Sequence, residues 1–313
     1  MMIEIYNKSF NITGPCVPGE HYMLPAAERL AEVDSLIANR RYFVLHAPRQ
    51  SGKTTTIQAC VDKINDEGKY YAVYCSLEAA GVWTEPDEGI RKVGIGLITA
   101  MLDSGIPPLA GAAADAARGM SASGQEGALQ AFLTPYDSSI LIESILKSVC
   151  SSLDKDLVLF FDEADSLAGG LLIAFLRQLR AGYISRAKLP FPRTIALIGM
   201  RNIRDYKNKA RPDAETSGSA SPFNIVAKAL SLKDFTFSEM SALYRQHTEE
   251  RGQVFEESAL EAAWRWSEGQ PWIVNALARE VIEEQLHKDY SVPITSLHVD
   301  KAAETIITRR DTH

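Results

Sequence analysis

Ala47-Pro48-Arg49-Gln50-Ser51-Gly52-Lys53-Thr54 is the stretch that decides how this chain folds. It stands between a short apolar run, Tyr42-Phe43-Val44-Leu45-His46, and a segment of helical character from Thr55 to Asn65. An apolar run ending in a turn is what a parallel strand covered on both faces requires. The stretch matches the phosphate-binding pattern GxxxxGK[ST], with Ala47 in place of the first glycine. Alanine fits a tight turn as long as its φ is negative. In such a loop consecutive backbone amides point inward and the helix amino terminus adds partial positive charge, so a polyphosphate is held mainly by main chain. The nine residues from Ala47 to Thr55 are the candidate nucleotide-binding set. Within it Gly52 lets the backbone approach closely, Lys53 reaches the β and γ phosphates, and the Thr54 hydroxyl completes the coordination of Mg²⁺.

A second site follows from Leu157-Val158-Leu159-Phe160-Phe161-Asp162-Glu163, a buried strand whose carboxyl end delivers two acids. Open α/β sheets bind ligands at those ends. Asp162 is expected to hold Mg²⁺ through its water shell, and Glu163 to orient and deprotonate the attacking water. Two acids capping a helix near Asp165 would look the same in isolation; the loop upstream tips the balance toward metal and water.

Apolar runs recur at 70–75 and 194–200, separated by helix-like segments, and strands alternating with helices argue for a parallel sheet of right-handed crossovers. Leu30, Val33 and Ile37 mark one face of a helix over 24–39. From Ser104 to Ala131, 14 of 28 residues are Ala or Gly, which predicts a surface insertion of weak helix or loop. Beyond about Leu232 the period becomes helical only. Thr236-Phe237-Ser238-Glu239 is a capping box opening a helix to Glu250; others follow at 255–268, from Pro271 with Ile273, Leu277 and Val281 on one stripe, and at 295–310. The expected organisation is an α/β domain over 1–235, including an N-terminal segment 1–40 and the insertion 104–131, and a helical lid over 236–313.

The 313 residues carry 33 basic and 40 acidic side chains, a net charge of −7, so no whole-body attraction draws the chain to nucleic acid or to an anionic membrane. Arg201, Arg204, Lys207, Lys209 and Arg211 form a local basic run offset by Asp205; with few aromatics between them it reads as a solvated loop, and nucleic acid is a partner that net charge does not indicate. Trp264, Trp266 and Trp272 are expected to pack lid helices. No apolar stretch reaches membrane-spanning length and the start lacks a secretory pattern, which predicts a soluble, cytoplasmic protein without membrane association. Cys16, Cys60, Cys75 and Cys150 lack metal or disulfide spacing and read as reduced, mostly buried small hydrophobes.

The loop APRQSGKT, the strand LVLFFDE, the later strand TIALIGMRN and the helical GQP together resemble the P-loop ATPases of the AAA+ and STAND classes, most closely bacterial AAA-like ATPases with starts such as GPCVPGEHYMLP. The resemblance covers nearly the whole chain and implies a P-loop NTPase fold, a central sheet in the order 5-1-4-3-2 followed by a helical lid, with ATP and Mg²⁺ as cofactors between them. It places sensor 1 at the end of the fourth strand. Asn202 matches the polar residue usual in AAA+ proteins and Arg201 the arginine of STAND proteins; one of them contacts the γ phosphate, with Arg201 preferred. Gly269-Gln270-Pro271 resembles the GxP motif, in which Pro271 packs near the adenine. Arg177, Arg180, Arg186, Arg193 and Arg204 are all candidates for an arginine finger.

The function expected from these features is ATP hydrolysis coupled to a switch or motor, with catalytic Glu163, Lys53, Arg201 and Asn202 and metal-binding Thr54 and Asp162. ATP and ADP are the ligands, an unidentified protein or effector domain the partner, and a nucleotide-dependent oligomer the form to test. The alternative is a nucleotide-locked binding module with negligible turnover, against which Glu163 speaks. A P-loop small-molecule kinase is a third option, poorly supported by Arg309 and Arg310.

Overall fold

The computed structural model describes residues 8–106, 122–199 and 222–309. The chain divides into two compact units, Leu30–Ala47 with Ile57–Ser231, and Met1–Arg29 with Pro48–Thr56 and Leu232–His313.

The first unit is built on a sheet. Among the described residues its strands are β1 (Tyr42–His46), β2 (Tyr71–Ser76), β3 (Leu157–Asp162), β4 (Thr194–Gly199) and β5 (Val226–Ser231). They lie in the order β2-β3-β4-β1-β5 with every neighbouring pair parallel, as the order 5-1-4-3-2 predicts. Every residue of β3 and β4 is buried, which explains their unbroken apolar runs. Side chains alternate between faces with period two. Leu157, Leu159 and Phe161 enter a core with Val44, Val73 and Leu197, where Phe161 meets Phe175 edge to face at 5.2 Å. On the opposite face Phe160 meets Phe43 at 6.4 Å. Burying one such side chain is worth about 1.5–3 kcal/mol.

Helices cover the sheet: α1 (Glu32–Ala38), the part of α2 (Lys53–Asp66) from Ile57 onward, α3 (Pro86–Asp103), α4 (Ala122–Leu133), α5 (Leu141–Ser152) and α6 (Gly169–Ser185). In α3 a proline stands in the first turn, where its missing N–H has no intrahelical partner to lose, and Ile90, Val93, Leu97, Ile98 and Met101 form the buried stripe. The Ala/Gly-rich stretch is more than a surface feature. Its described end, α4, packs against α3 and buries Leu129 and Leu133 in the core, while 107–121 lie outside the described residues.

The second unit is helical: α7 (Phe237–Arg251), α8 (Glu257–Ser267), α9 (Pro271–Arg279) running into a π-helical stretch Glu280–Gln285, and α10 (Ser296–Arg309). The capping box forms: Glu239 N donates to Thr236 Oγ1 at 3.2 Å and Thr236 N to the Glu239 carboxylate at 2.7 Å. Phe10 and Tyr22 of the N-terminal segment are buried among these helices with Tyr244, Phe255, Leu277 and Val281. Trp264 stands edge-on to Phe237 at 5.8 Å, and the Trp266 indole donates to Asp300 at 2.7 Å. No helix among the described residues is long and apolar enough to cross a membrane.

Candidate nucleotide site

The loop after β1 is shaped by two left-handed residues on either side of Ser51: Gln50 at φ +59° and Gly52 at φ +79°. Such turns aim successive amides into one hollow. Glycine adopts this backbone without penalty, whereas a side-chain-bearing residue pays about 1–2 kcal/mol. A Cβ on Gly52 would stand 3.7 Å from Arg29 Nη1, an ordinary contact, so it is the backbone angle and not space that calls for glycine. Ala47 keeps a negative φ and its N–H donates to the Gly199 carbonyl at 3.3 Å, extending the pairing of β1 with β4.

Inside the loop Ser51 Oγ and Lys53 Nζ each donate to the Pro48 carbonyl at 2.9 Å. Lys53 is 7% exposed. Helix α2 starts at Lys53, so its first amides have no intrahelical acceptor, and Thr56 N makes the bond to Gly52 O at 2.9 Å. Thr55 Oγ1 accepts from Cys16 N at 3.0 Å, tying the N-terminal segment to this helix start.

Two residues that the sequence pattern does not mark as ligands come to the loop. Arg29 lies beside Gly52, donates to the Lys233 carbonyl and stacks over Phe235 at 4.8 Å; its pKa is pushed down by burial against the opposing pull of Glu239 and Asp234. Gln270 caps α9 by accepting from Ile273 N at 2.7 Å and donates to the Gln50 carbonyl at 3.3 Å. The GQP segment thus reaches the loop through its glutamine as well as carrying Pro271 at the first position of α9. Gly269 holds φ +85°, and a Cβ there would stand 1.9 Å from the Phe235 carbonyl oxygen, a close backbone approach that only glycine permits.

The acids stand in the sheet unit. Asp162, the last residue of β3, is 0% exposed. Its Oδ1 accepts from the Glu163 N–H at 2.9 Å and its Oδ2 from the Tyr74 hydroxyl at 3.0 Å. Glu163 turns the chain at φ +53° into a short 3₁₀ turn, Ala164–Ser166, and makes no capping hydrogen bond to it. A left-handed non-glycine residue is strained by about 1–3 kcal/mol, and such strain gathers at functional sites. Gly199, the last residue of β4, carries no Cβ because one would stand 2.8 Å from Asp165 Oδ1. Two of the cysteines are buried, and burial pushes the thiol of Cys75 up to about 12 and that of Cys60 up to about 11. Arg201 and Asn202, with the basic run to Arg211, lie outside the described residues.

In one unit the left-handed loop carries amides, an ammonium and the Thr54 hydroxyl, donors of the kind that suit a polyphosphate and a hard cation; in the other, Asp162 carries a carboxylate, the hard oxygen donor that Mg²⁺ takes directly or through water.

No protein-family model matches the sequence, and no curated protein does. Solved structures do. A Walker-type ATPase of Pyrococcus abyssi superposes over 96% of this chain and 77% of its own, with a TM-score of 0.61 at 12% identity. The ORC2 protein of Aeropyrum pernix, in ADPNP–ADP complexes, gives 0.49 over 90% of this chain and 66% of its own at 13% identity. The RuvB Holliday junction branch migration motor of Thermotoga maritima gives 0.47 over 90% and 68% at 14% identity. At such identities a likeness speaks for architecture, and the first of these carries it. Together with the parallel order β2-β3-β4-β1-β5, it shows that this chain has the α/β fold of the P-loop nucleoside triphosphatases.

Proposed function

We propose that the chain binds ATP with Mg²⁺ and hydrolyses it, serving as a nucleotide-driven switch or motor subunit of the AAA+/STAND type. The observation that carries this is the loop conformation, with left-handed Gln50 and Gly52 leading into a helix that opens on Lys53. ATP bound with Mg²⁺ supplies the β–γ phosphoanhydride bond and the cation that offsets its charge. The loop amides from Pro48 to Thr54 hold phosphate oxygens, and Lys53 exchanges its bond to the Pro48 carbonyl for one to phosphate. Thr54 and, through water, Asp162 would hold the metal. Glu163 takes the proton of the attacking water, Arg201 or Asn202 answers the γ phosphate, and Pro271 packs near the adenine.

Calorimetry and phosphate release test these roles. Lys53→Ala is expected to lose ATP binding. Glu163→Gln is expected to bind ATP and lose about 10²- to 10⁴-fold in turnover, the usual share of general acid–base catalysis. Unchanged affinity in Lys53→Ala would refute the nucleotide site; equal inertness of wild type and Glu163→Gln, with binding intact, would leave a nucleotide-locked module. Size measurement with and without a slowly hydrolysed ATP analogue separates an assembling motor from a solitary switch.

A further inference from the structure

Tyr74 has no part in the scheme above, yet its hydroxyl donates to Asp162 Oδ2 at 3.0 Å. The strand register explains how it gets there. Ser76 lies opposite Asp162 and Tyr74 opposite Phe160, so Tyr74 sits two residues back on the same face of the sheet, and a tyrosine reaches diagonally to the carboxylate. On its other side Tyr74 lines an open cavity of about 710 Å³ with Gln58, Asp62, Lys92 and Asp103. Its ring therefore packs at the margin of the core, where phenylalanine would occupy the same place.

A carboxylate turns about a broad, soft torsion, so fixing its lone pairs takes donors from more than one direction. Glu163 N–H comes from the next residue of the same chain turn and follows any shift of Asp162. Tyr74 comes from the neighbouring strand, held by the ladder between β2 and β3. Groups that hydrogen-bond a metal's ligand change metal affinity by about 10–100-fold when removed.

We infer that Tyr74 is a positioning residue for Asp162: by fixing the carboxylate from the adjacent strand it sets how tightly the protein–ATP complex holds its divalent cation, without touching the nucleotide. The inference rests on the ATPase proposal, and the experiment separates the two. Mn²⁺ is titrated into the full chain at saturating ATP and free Mn²⁺ is followed by electron paramagnetic resonance, while ATP affinity in EDTA is measured by calorimetry. Tyr74→Phe is expected to weaken Mn²⁺ binding by up to about 10-fold, the low end of what loss of a ligand's hydrogen-bond partner costs because Asp162 reaches the metal through water, with metal-free ATP affinity unchanged. In turnover the half-saturating Mg²⁺ concentration rises by the same factor and kcat at saturating Mg²⁺ is retained. Identical Mn²⁺ binding in wild type and Tyr74→Phe overturns the inference and leaves the ATPase proposal standing. A variant that loses ATP affinity in EDTA as well overturns it too, since the tyrosine would then be supporting the fold. If wild type itself binds no ATP under either condition, the ATPase proposal falls and takes this one with it.

Discussion

The phosphate loop and the carboxyl end of β3 are held in place by different physics. The loop is made of backbone angles: two left-handed residues, and a carbonyl at Pro48 that gathers the Ser51 hydroxyl and the Lys53 ammonium. The acid end is made of burial. Asp162 closes a strand with no exposed residue, and its orientation depends on a neighbouring strand through Tyr74. A region built from angles can be spoiled for its ligand while the fold survives. A region built into the core loses stability whenever its packing is disturbed.

Phe160→Ala tests the second half of that contrast and carries the largest expected effect. Phe160 is 1% exposed, lies two residues before Asp162 and meets Phe43 across the sheet. Its truncation should cost about 3–5 kcal/mol, seen as a lower urea midpoint at unchanged slope. A loss below about 1 kcal/mol would mean that this end of β3 is not anchored by its core.

Gly52→Ala tests the first half with a smaller effect. Alanine at φ +79° costs about 1–2 kcal/mol if the loop keeps its shape. If the loop relaxes instead, stability is kept and ATP affinity drops by about 5- to 30-fold, the equivalent of that energy. The urea midpoint and the calorimetric affinity, measured on one preparation, show which way the strain is released. A variant that keeps both values would show that the left-handed turn at 52 is not what shapes the hollow.

The same contrast decides what can be read from sequence. A backbone that needs glycine at one position and lysine at the next leaves a local pattern, and the loop is legible from eight consecutive residues. Fully buried strands are legible too, because burial on both faces forces unbroken apolar runs in β1, β3 and β4. Strand β5 is not. Among the described residues it pairs only with β1 at the sheet edge, and it mixes exposed Ala227, Lys228 and Ser231 with a buried Leu230, so its residues carry neither an apolar run nor clean alternation. The sheet order that includes β5 comes from family resemblance and not from its residues. The place of helix α4 is obscured by composition: Ala and Gly leave weak helix and loop equally open and suggest a surface, and Leu129 and Leu133 mark its core-facing side. Tyr74 and Arg29 leave no local trace, because what matters is a hydroxyl whose acceptor is 88 residues away and a guanidinium brought to Gly52 by folding. Gln270 sits inside a segment marked for its glycine and proline, while its amide donates to Gln50, 220 residues earlier in the chain.

In the helical unit, where the loop also resides, the smallest expected effect comes from acid. Tyr22 O–H, His247 and Gln253 form a buried chain: Tyr22 Oη lies 3.2 Å from His247 Nδ1, and His247 Nε2 lies 2.9 Å from Gln253 Oε1. Gln253 spends its amide hydrogens on the Asp289 and Val292 carbonyls, so its oxygen can only accept. His247 Nε2 therefore bears the hydrogen, Nδ1 accepts, and the Tyr22 hydroxyl, pushed up to about 12 chiefly by burial, is the donor. The neutral imidazole satisfies every partner. Burial lowers the His247 pKa below its ordinary value, against the hydrogen bond it donates to Gln253, which raises it. The unfolded chain then binds more protons than the folded one between the two pKa values, so stability rises with pH there. The contribution is complete above the unfolded value near about 6.5 and is lost as pH falls below it. Acidification from about pH 7.5 to about pH 5.5 should lower the unfolding free energy by less than about 1.4 kcal/mol per pH unit, the ceiling for one proton. His247→Gln should flatten that slope, and a slope equal to wild type would assign the acid sensitivity to other groups.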